Sequence, residues 1–340
     1  MFKYSDIRVV HLEISSRCNA ACPDCPRNLR GVEVADIFND FEVRDMTLAE
    51  VKKMFPVEFL SQLHMILING NHGDFITCRE GLEIIKYFSE SNPYMQIEIS
   101  TNASGQPKIW SQLGAIPNVK VLFRLDGLAD THHLYRQYTD FNLIINNAKL
   151  FIAAGGNAEW HMIAFDFNEH QREDAKLLSE QLGFKRFELV DVGRNNMVVF
   201  DKNGNYSHTI GNPTHDQQDF ISLMEVRKTR RLDTTYQLQF YEKYPAKEIN
   251  CKVKNPVWIY VQSNGQVYPC CWTGRAPDTN PIASGNEQIS ALSKNNNALE
   301  VGLEAAIDWF NELERAWQIK TVAAGRPWIC NETCGSPGSN

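Results

Sequence analysis

Three cysteines within eight residues, in the run Cys18-Asn19-Ala20-Ala21-Cys22-Pro23-Asp24-Cys25, constrain this chain more than any other feature. Their C-x3-C-x2-C spacing brings three thiolates to one small cluster, whereas a closed tetrahedral zinc or iron-sulfur site takes four ligands. One coordination position would stay open for chemistry. The alternative is a structural zinc knuckle that borrows its fourth ligand from elsewhere in the chain. The preceding run, Ile7 to Ser15, carries Ile7, Val9, Leu12 and Ile14 in roughly alternate positions. It reads as a strand that delivers the cysteines on the loop after it, which is where barrel enzymes keep their active sites.

At 340 residues the chain exceeds a typical single domain, so one large α/β domain with a smaller appendage is expected. A net charge of -7 argues against bulk binding to nucleic acid. No apolar run is long enough to cross a bilayer, and no signal-peptide core follows Met1-Phe2-Lys3-Tyr4-Ser5-Asp6. A cytoplasmic protein with no membrane partner is expected. In a reducing compartment, clustered cysteines are metal ligands before they are bridges. The nine cysteines form a first group (Cys18, Cys22, Cys25), a second group (Cys251, Cys270, Cys271, Cys330, Cys334) and Cys78 alone. Cys78 reads as a small packing residue.

From residue 7 to about 193, strand-like and helix-like segments alternate. Strands are expected at His64 to Asn69, Met95 to Thr101, Val119 to Asp126, Glu159 to Phe165 and Arg186 to Val190. Helices are expected after the capping box Thr47-Leu48-Ala49-Glu50, with a break at Pro56, and at Glu80 to Ser89, Lys108 to Leu113, Phe141 to Ala154 and Glu169 to Leu182. This alternation suits a barrel or a doubly wound sheet. Beyond about 195 the rhythm is lost in polar and turn residues, Asp201-Lys202-Asn203-Gly204-Asn205 and Gly211-Asn212-Pro213, before a helix from Phe220 to Arg231. Its basic run Arg227-Lys228-Thr229-Arg230-Arg231 reads as a solvated face. A β-hairpin is expected at Val257 to Tyr268, turning at Asn264-Gly265. One long helix is expected from Leu299 to Trp317, after a loop at Asn295-Asn296-Asn297.

The cysteine loop closely resembles that of the radical S-adenosylmethionine (SAM) superfamily. The resemblance implies that Cys18, Cys22 and Cys25 hold a 4Fe-4S cluster. It implies also that SAM chelates the fourth iron, and that one electron from an external donor such as flavodoxin or ferredoxin cleaves SAM to a 5'-deoxyadenosyl radical. The fold it implies is α/β: a partial (β/α)6 TIM-like barrel over residues 1–194, a bridging segment or lid over 195–250, and a small α+β SPASM/twitch-like domain over 251–340.

Several segments resemble SAM-contacting motifs of that superfamily. In Asn69-Gly70-Asn71-His72-Gly73-Asp74-Phe75, Gly73 and Asp74 match the end of the glycine-glycine-glutamate motif that receives the amino group of SAM. Asp74 is shorter than the usual glutamate. Ser100-Thr101-Asn102 resembles the segment that meets the ribose and methionine, and hydroxyl and amide groups suit that task. Phe123-Arg124-Leu125-Asp126-Gly127 is similar to the Ser-x-Asp-Gly strand end, with Arg124 in place of serine. Arg124 would pair with the SAM carboxylate or with an acidic substrate, and Arg136 is the competing carboxylate binder. Asn168 matches a further SAM-contacting position. Asp24 stands where an aromatic residue is common, which puts its side-chain role in doubt. His132 and His133 suit proton transfer by their ordinary pKa, but read first as surface residues. His161 and Arg194 are candidate pocket residues, with structural roles as the alternative.

Cys251, Gly265 and Cys270, spaced C-x13-G-x4-C, resemble the opening of the SPASM and twitch extensions of radical SAM enzymes. With Cys330-x3-Cys334 they offer four thiolates, enough for one fully ligated auxiliary 4Fe-4S cluster or for a structural zinc. Cys271 is spare or takes the place of Cys270. Two 4Fe-4S clusters and SAM are therefore the expected cofactors. The leading expectation is a radical SAM enzyme that abstracts hydrogen from a peptide or protein. A small-molecule alcohol dehydrogenase acting on sugars or aminocyclitols, and a non-enzymatic metal scaffold, are the alternatives.

Overall fold

Strand and helix alternate from Ile7 to Val190, much as the apolar periodicity demands. The computed structural model describes residues 2–23, 25–29, 31–37, 41–190, 197–211, 246–274 and 287–336. Asp24, Arg194 and the basic run 227–231 with its expected helix lie outside them. The chain divides into two compact units, one of His11–Thr214 and one of Met1–Val10 with His215–Asn340.

In the first unit, strands β1 (Ile7–Leu12, which begins in the other unit), β2 (Met65–Ile68), β3 (Gln96–Thr101), β4 (Val119–Arg124), β5 (Asn157–Ile163) and β6 (Arg186–Val190) lie side by side in chain order. From β2 to β6 all neighbours pair parallel, in the registers Ile99↔Val121, Phe123↔Trp160 and His161↔Glu188. A mixed α/β unit with this mostly parallel sheet is consistent with a partial TIM-like barrel. Helices Leu48–Met54, Gly81–Ser91, Trp110–Gly114, Phe141–Ala153 and Arg172–Leu182 connect the strands.

Alternation along each strand separates two faces. Val119, Val121 and Phe123 are buried on the helix side, where Phe123 lies 5.4 Å from Trp110 and 5.9 Å from Phe151 between ring centroids. Trp160 continues that layer, 5.6 Å from Phe184. Lys120, Leu122 and Arg124 alternate onto the opposite face. The capping box forms as the sequence suggests: Thr47 and Glu50 exchange bonds across the first turn of their helix, and Pro56 caps a separate short helix, Val57–Leu60.

A hairpin of β7 (Met197–Phe200) and β8 (Tyr206–Ile210) follows. Its turn is the polar run that reads as lost rhythm. Asp201 Oδ1 accepts the backbone N–H groups of Asn203 and Asn205 at 2.8 and 2.9 Å, and Gly204 takes a φ of +81°. Val199 and Ile210 pack into one apolar cluster with Ala20, Cys22, Tyr135, Ile163 and Phe165, which seats the hairpin against the cysteine loop.

In the second unit, β9 (Val257–Val261) and β10 (Val267–Tyr268) form the expected antiparallel hairpin, with Gly265 at a φ of +87° in its turn. The expected long helix is instead three: Ala298–Val301, Leu303–Ala306 and Phe310–Ala316. Gly302, at φ +83° and ψ 156°, breaks the first from the second.

Candidate metal centre and cofactor site

The loop after β1 brings the first cysteines together. Cys22 is buried, and Cys18 and Cys25 pack half-buried against the same apolar cluster. Backbone bonds shape the loop, Cys25 N–H to the Cys22 carbonyl at 3.1 Å and Asn28 N–H to the Cys25 carbonyl at 2.9 Å. Burial pushes all three thiols up, Cys25 to about 11. After burial, Asp74 and the other two cysteines add to the shift at Cys18. Three thiols that oppose one another's ionisation in a buried pocket are a donor set that a multivalent cationic group would complete. Among the described residues, the only three metal-ligating groups whose ligand atoms all lie within 4.8 Å of one another are Glu159, His161 and Glu188.

Two side chains that sequence reading passes over hold this loop. Glu13, at the end of β1, accepts the backbone N–H groups of His72 and Gly73 at 2.7 and 2.8 Å. Arg27, buried two residues past Cys25, donates to the carbonyls of Ser16 and His72 and pairs with Glu33 at 2.5 Å. Cysteine loop and glycine loop are thereby tied together. No sequence signal marks either residue, because Glu13 sits in ordinary strand alternation and Arg27 in no pattern.

The glycine loop serves the same junction. A Cβ on Gly73 would stand 1.7 Å from the Ser15 carbonyl oxygen, so its glycine is required by backbone packing against the cysteine loop. Asp74 accepts from Thr101 Oγ1 at 2.5 Å, Asn102 N–H at 2.8 Å and Ile76 N–H at 3.2 Å. Burial raises its pKa against the pull of these donors. Asp74 thus fixes the Ser100-Thr101-Asn102 strand end. Asn102 Nδ2 in turn lies 3.6 Å from Cys18 Sγ and 2.9 Å from Asn19 Oδ1.

Arg136 and Arg124 occupy different surroundings. Arg136 Nε donates to Asp126 Oδ2 at 2.5 Å, and its Nη1 lies 3.7 Å from Cys22 Sγ. Burial opposes its charge, but Asp126 and Cys22 outweigh it and hold the guanidinium above the ordinary arginine value. Arg124 Nε donates to Ser100 Oγ at 2.8 Å. Burial and then the like charge of Arg136 hold Arg124 below its ordinary value. Asn168 spends its amide on the turn after β5, accepting from Phe165 N–H at 2.8 Å and donating to the Ile163 carbonyl at 3.0 Å.

The histidine pair departs from its expected surface position in one member. His133 is exposed, but His132 is buried, accepting from Asp126 N–H at 3.2 Å and lying 2.9 Å from Thr139 Oγ1. Burial and then Arg136 hold its pKa at about 3. Cys78 is a packing residue as read, with its sulfur 3.8 Å from the Met46 carbonyl.

In the second unit, a short antiparallel pair, Glu248–Ile249 with Gly335–Ser336, and the bond from Asn250 N–H to the Cys334 carbonyl at 2.9 Å set Cys251 beside Cys334. Arg326 binds that junction from below, donating to Asn331 Oδ1 at 3.0 Å and to the carbonyls of Trp317 and Lys247. Cys251 and Cys334 share a hydrogen bond that raises the first thiol and lowers the second. Cys270 and Cys330 are raised by burial, and each of the two also feels Cys334. Cys270 also acts on Cys251 and Cys330, which places it with the quartet. Four thiols of this kind suit a fully ligated cluster.

Neither protein-family models nor curated proteins give a match to the chain. Solved structures do. SuiB of Streptococcus suis bound to S-adenosylmethionine matches at a TM-score of 0.51 and 15% identity, covering 95% of this chain and 77% of that one. SuiB bound to its precursor peptide SuiA gives 0.52 and 13%, covering 95% and 76%. The protein anSMEcpe with bound AdoMet gives 0.48 and 14%, covering 78% and 71%. These neighbours are radical SAM enzymes. In fold, the chain is similar to the SuiB structures.

Proposed function

We propose that this chain is a radical SAM enzyme that abstracts hydrogen from a peptide or protein. The observation that carries this reading is the triplet Cys18, Cys22 and Cys25 on the loop after β1, one thiol buried and two half-buried, in a C-x3-C-x2-C run that offers three thiols where a closed site takes four. A bound 4Fe-4S cluster with SAM on its open iron would supply a 5'-deoxyadenosyl radical. The chain's own part is to hold and shield these groups. Arg136 and Asn102 each aim an N–H at a cluster sulfur, Cys22 and Cys18, which eases thiolate charge in a buried pocket. Asp126 fixes Arg136, and Asp74 fixes Thr101 and Asn102. Ser100, Thr101 and Asn102 would meet the ribose and methionine of SAM, the backbone of Gly73 and Asp74 its amino group, and Arg136 its carboxylate. Asn168 would offer SAM its second Nδ2 hydrogen or its second Oδ1 lone pair, the first of each being held by Ile163 and Phe165.

In the second unit, Cys251, Cys270, Cys330 and Cys334 would hold an auxiliary 4Fe-4S cluster that takes an electron or anchors substrate. SuiB was solved with its precursor peptide, and that supports a peptide substrate here. The test is the yield of 5'-deoxyadenosine from reduced, anaerobically reconstituted protein supplied with SAM and either a pool of peptides or a panel of aminocyclitols. Stimulation by peptides is expected. Stimulation by aminocyclitols alone would overturn the peptide reading in favour of an alcohol dehydrogenase.

A further inference from the structure

The strand face opposite the helices is charged. Glu98 and Ser100 on β3, Lys120 and Arg124 on β4, and Glu159 and His161 on β5 alternate with the apolar residues that face the helices. A barrel interior that only packs is filled by branched aliphatic side chains. Nearly every charge on this face is compensated. Lys120 pairs with Glu98 at 2.5 Å and Glu159 at 3.5 Å, and Arg186 with Glu188 at 2.8 Å. His161 Nε2 lies 2.9 Å from Glu159 and 3.8 Å from Glu188. Glu159, His161 and Glu188 have the spacing of a cation site, but Lys120 and Arg186 already neutralise the two carboxylates.

Arg124 differs. It forms no ion pair among the described residues, its Nε is spent on Ser100, and its Nη1 lies 3.4 Å from His161 Nδ1. Arginine has no acceptor, so Nδ1 accepts here and Nε2 is the donor to Glu159. The imidazole braces one edge of the guanidinium and Ser100 the other. Nη2 makes no hydrogen bond among the described residues, and the cation has no ion-pair partner there, although Asp126, Glu98 and Glu188 act on it from beyond ion-pair distance.

Position separates Arg124 from the cluster. Asp126, two residues further along, holds Arg136, and it is Arg136 that reaches Cys22. Arg124 therefore stands one alternation deeper, roughly 7 Å along the chain. A braced guanidinium with a free edge is suited to bidentate recognition of a carboxylate or phosphate.

We propose that Arg124, anchored by Ser100 and His161, receives an oxyanion carried by the substrate and does not bind SAM. This rests on the radical SAM reading for what counts as substrate. The test is titration calorimetry of the reconstituted, SAM-loaded protein with glutarate and, separately, with inorganic phosphate, comparing wild type, Arg124→Gln and Arg124→Lys.

Wild type is expected to bind at least one probe, and which one tells carboxylate from phosphate. Arg124→Gln should weaken that binding about tenfold or more, while its affinity for SAM changes less than about threefold. Arg124→Lys, which keeps the charge but loses the fork, should fall between. If Arg124→Gln fails to load iron, Arg124→Lys decides, and weakening of about threefold or more is then required. Three results would overturn the proposal: no binding of either probe to wild type, unchanged binding in the variants, or a larger loss of SAM affinity. Absence of 5'-deoxyadenosine from reduced wild type with SAM is a separate result, which removes the radical reading whatever the anions do.

Discussion

Asp126 has no exposed surface, and both its oxygens are committed, one to Ile163 N–H at 2.6 Å and the other to Arg136 at 2.5 Å. Removing one partner of a buried ion pair costs more than the pair itself contributes, because it strands the other charge, typically by about 3–5 kcal/mol. Asp126→Asn is therefore expected to lower the unfolding free energy by about 3 kcal/mol, read from urea denaturation. A change under about 1 kcal/mol would mean that Arg136 draws its support from elsewhere. At this scale the sequence names candidate residues but not the partners that hold them. Gly73 reads as close approach to a ligand, and the structure adds a second reason for glycine there, since a Cβ would strike the Ser15 carbonyl. Asp74 reads as a ligand contact, and its oxygens also accept from Thr101, Asn102 and Ile76, which the sequence does not show. Such partners lie dozens of residues away, and only the fold brings them together.

Elements were read well where periodicity alone decides them and poorly where one residue overrides it. The apolar pattern from Leu299 to Trp317 continues across Gly302 without interruption, so nothing in it marks a break. The backbone there adopts φ +83° and ψ 156°, a region that side-chain-bearing residues avoid. A Cβ at Gly302 would meet nothing within 4 Å, so any cost of substitution is conformational and not steric. Gly302→Ala is expected to destabilise the second unit by about 1–3 kcal/mol, measured by chemical denaturation followed through tryptophan fluorescence. An unchanged midpoint would show that the helices can join. The β7–β8 hairpin was hidden for the opposite reason: its turn, Asp201 to Asn205, is so rich in breakers that the short apolar runs beside it do not stand out.

For the whole molecule, strand-helix alternation left barrel and doubly wound sheet equally open. The structure is consistent with the partial barrel. Strands β1 to β6 lie side by side in chain order, in a mixed α/β unit with a mostly parallel sheet. That order puts the loop after β1 and the ends of β2 to β5 around one site, where the cysteine triplet meets Asp74, Asn102 and Arg136. What the triplet does there is tested most directly by 5'-deoxyadenosine formation. Anaerobically reconstituted protein, supplied with SAM and a strong reductant and no substrate, should release 5'-deoxyadenosine. Protein carrying Cys18→Ala, Cys22→Ala and Cys25→Ala together should release none above background while keeping the metal of the second cysteine group. No product from fully reconstituted wild type, or equal product from the triple variant, would contradict a radical SAM centre at this loop.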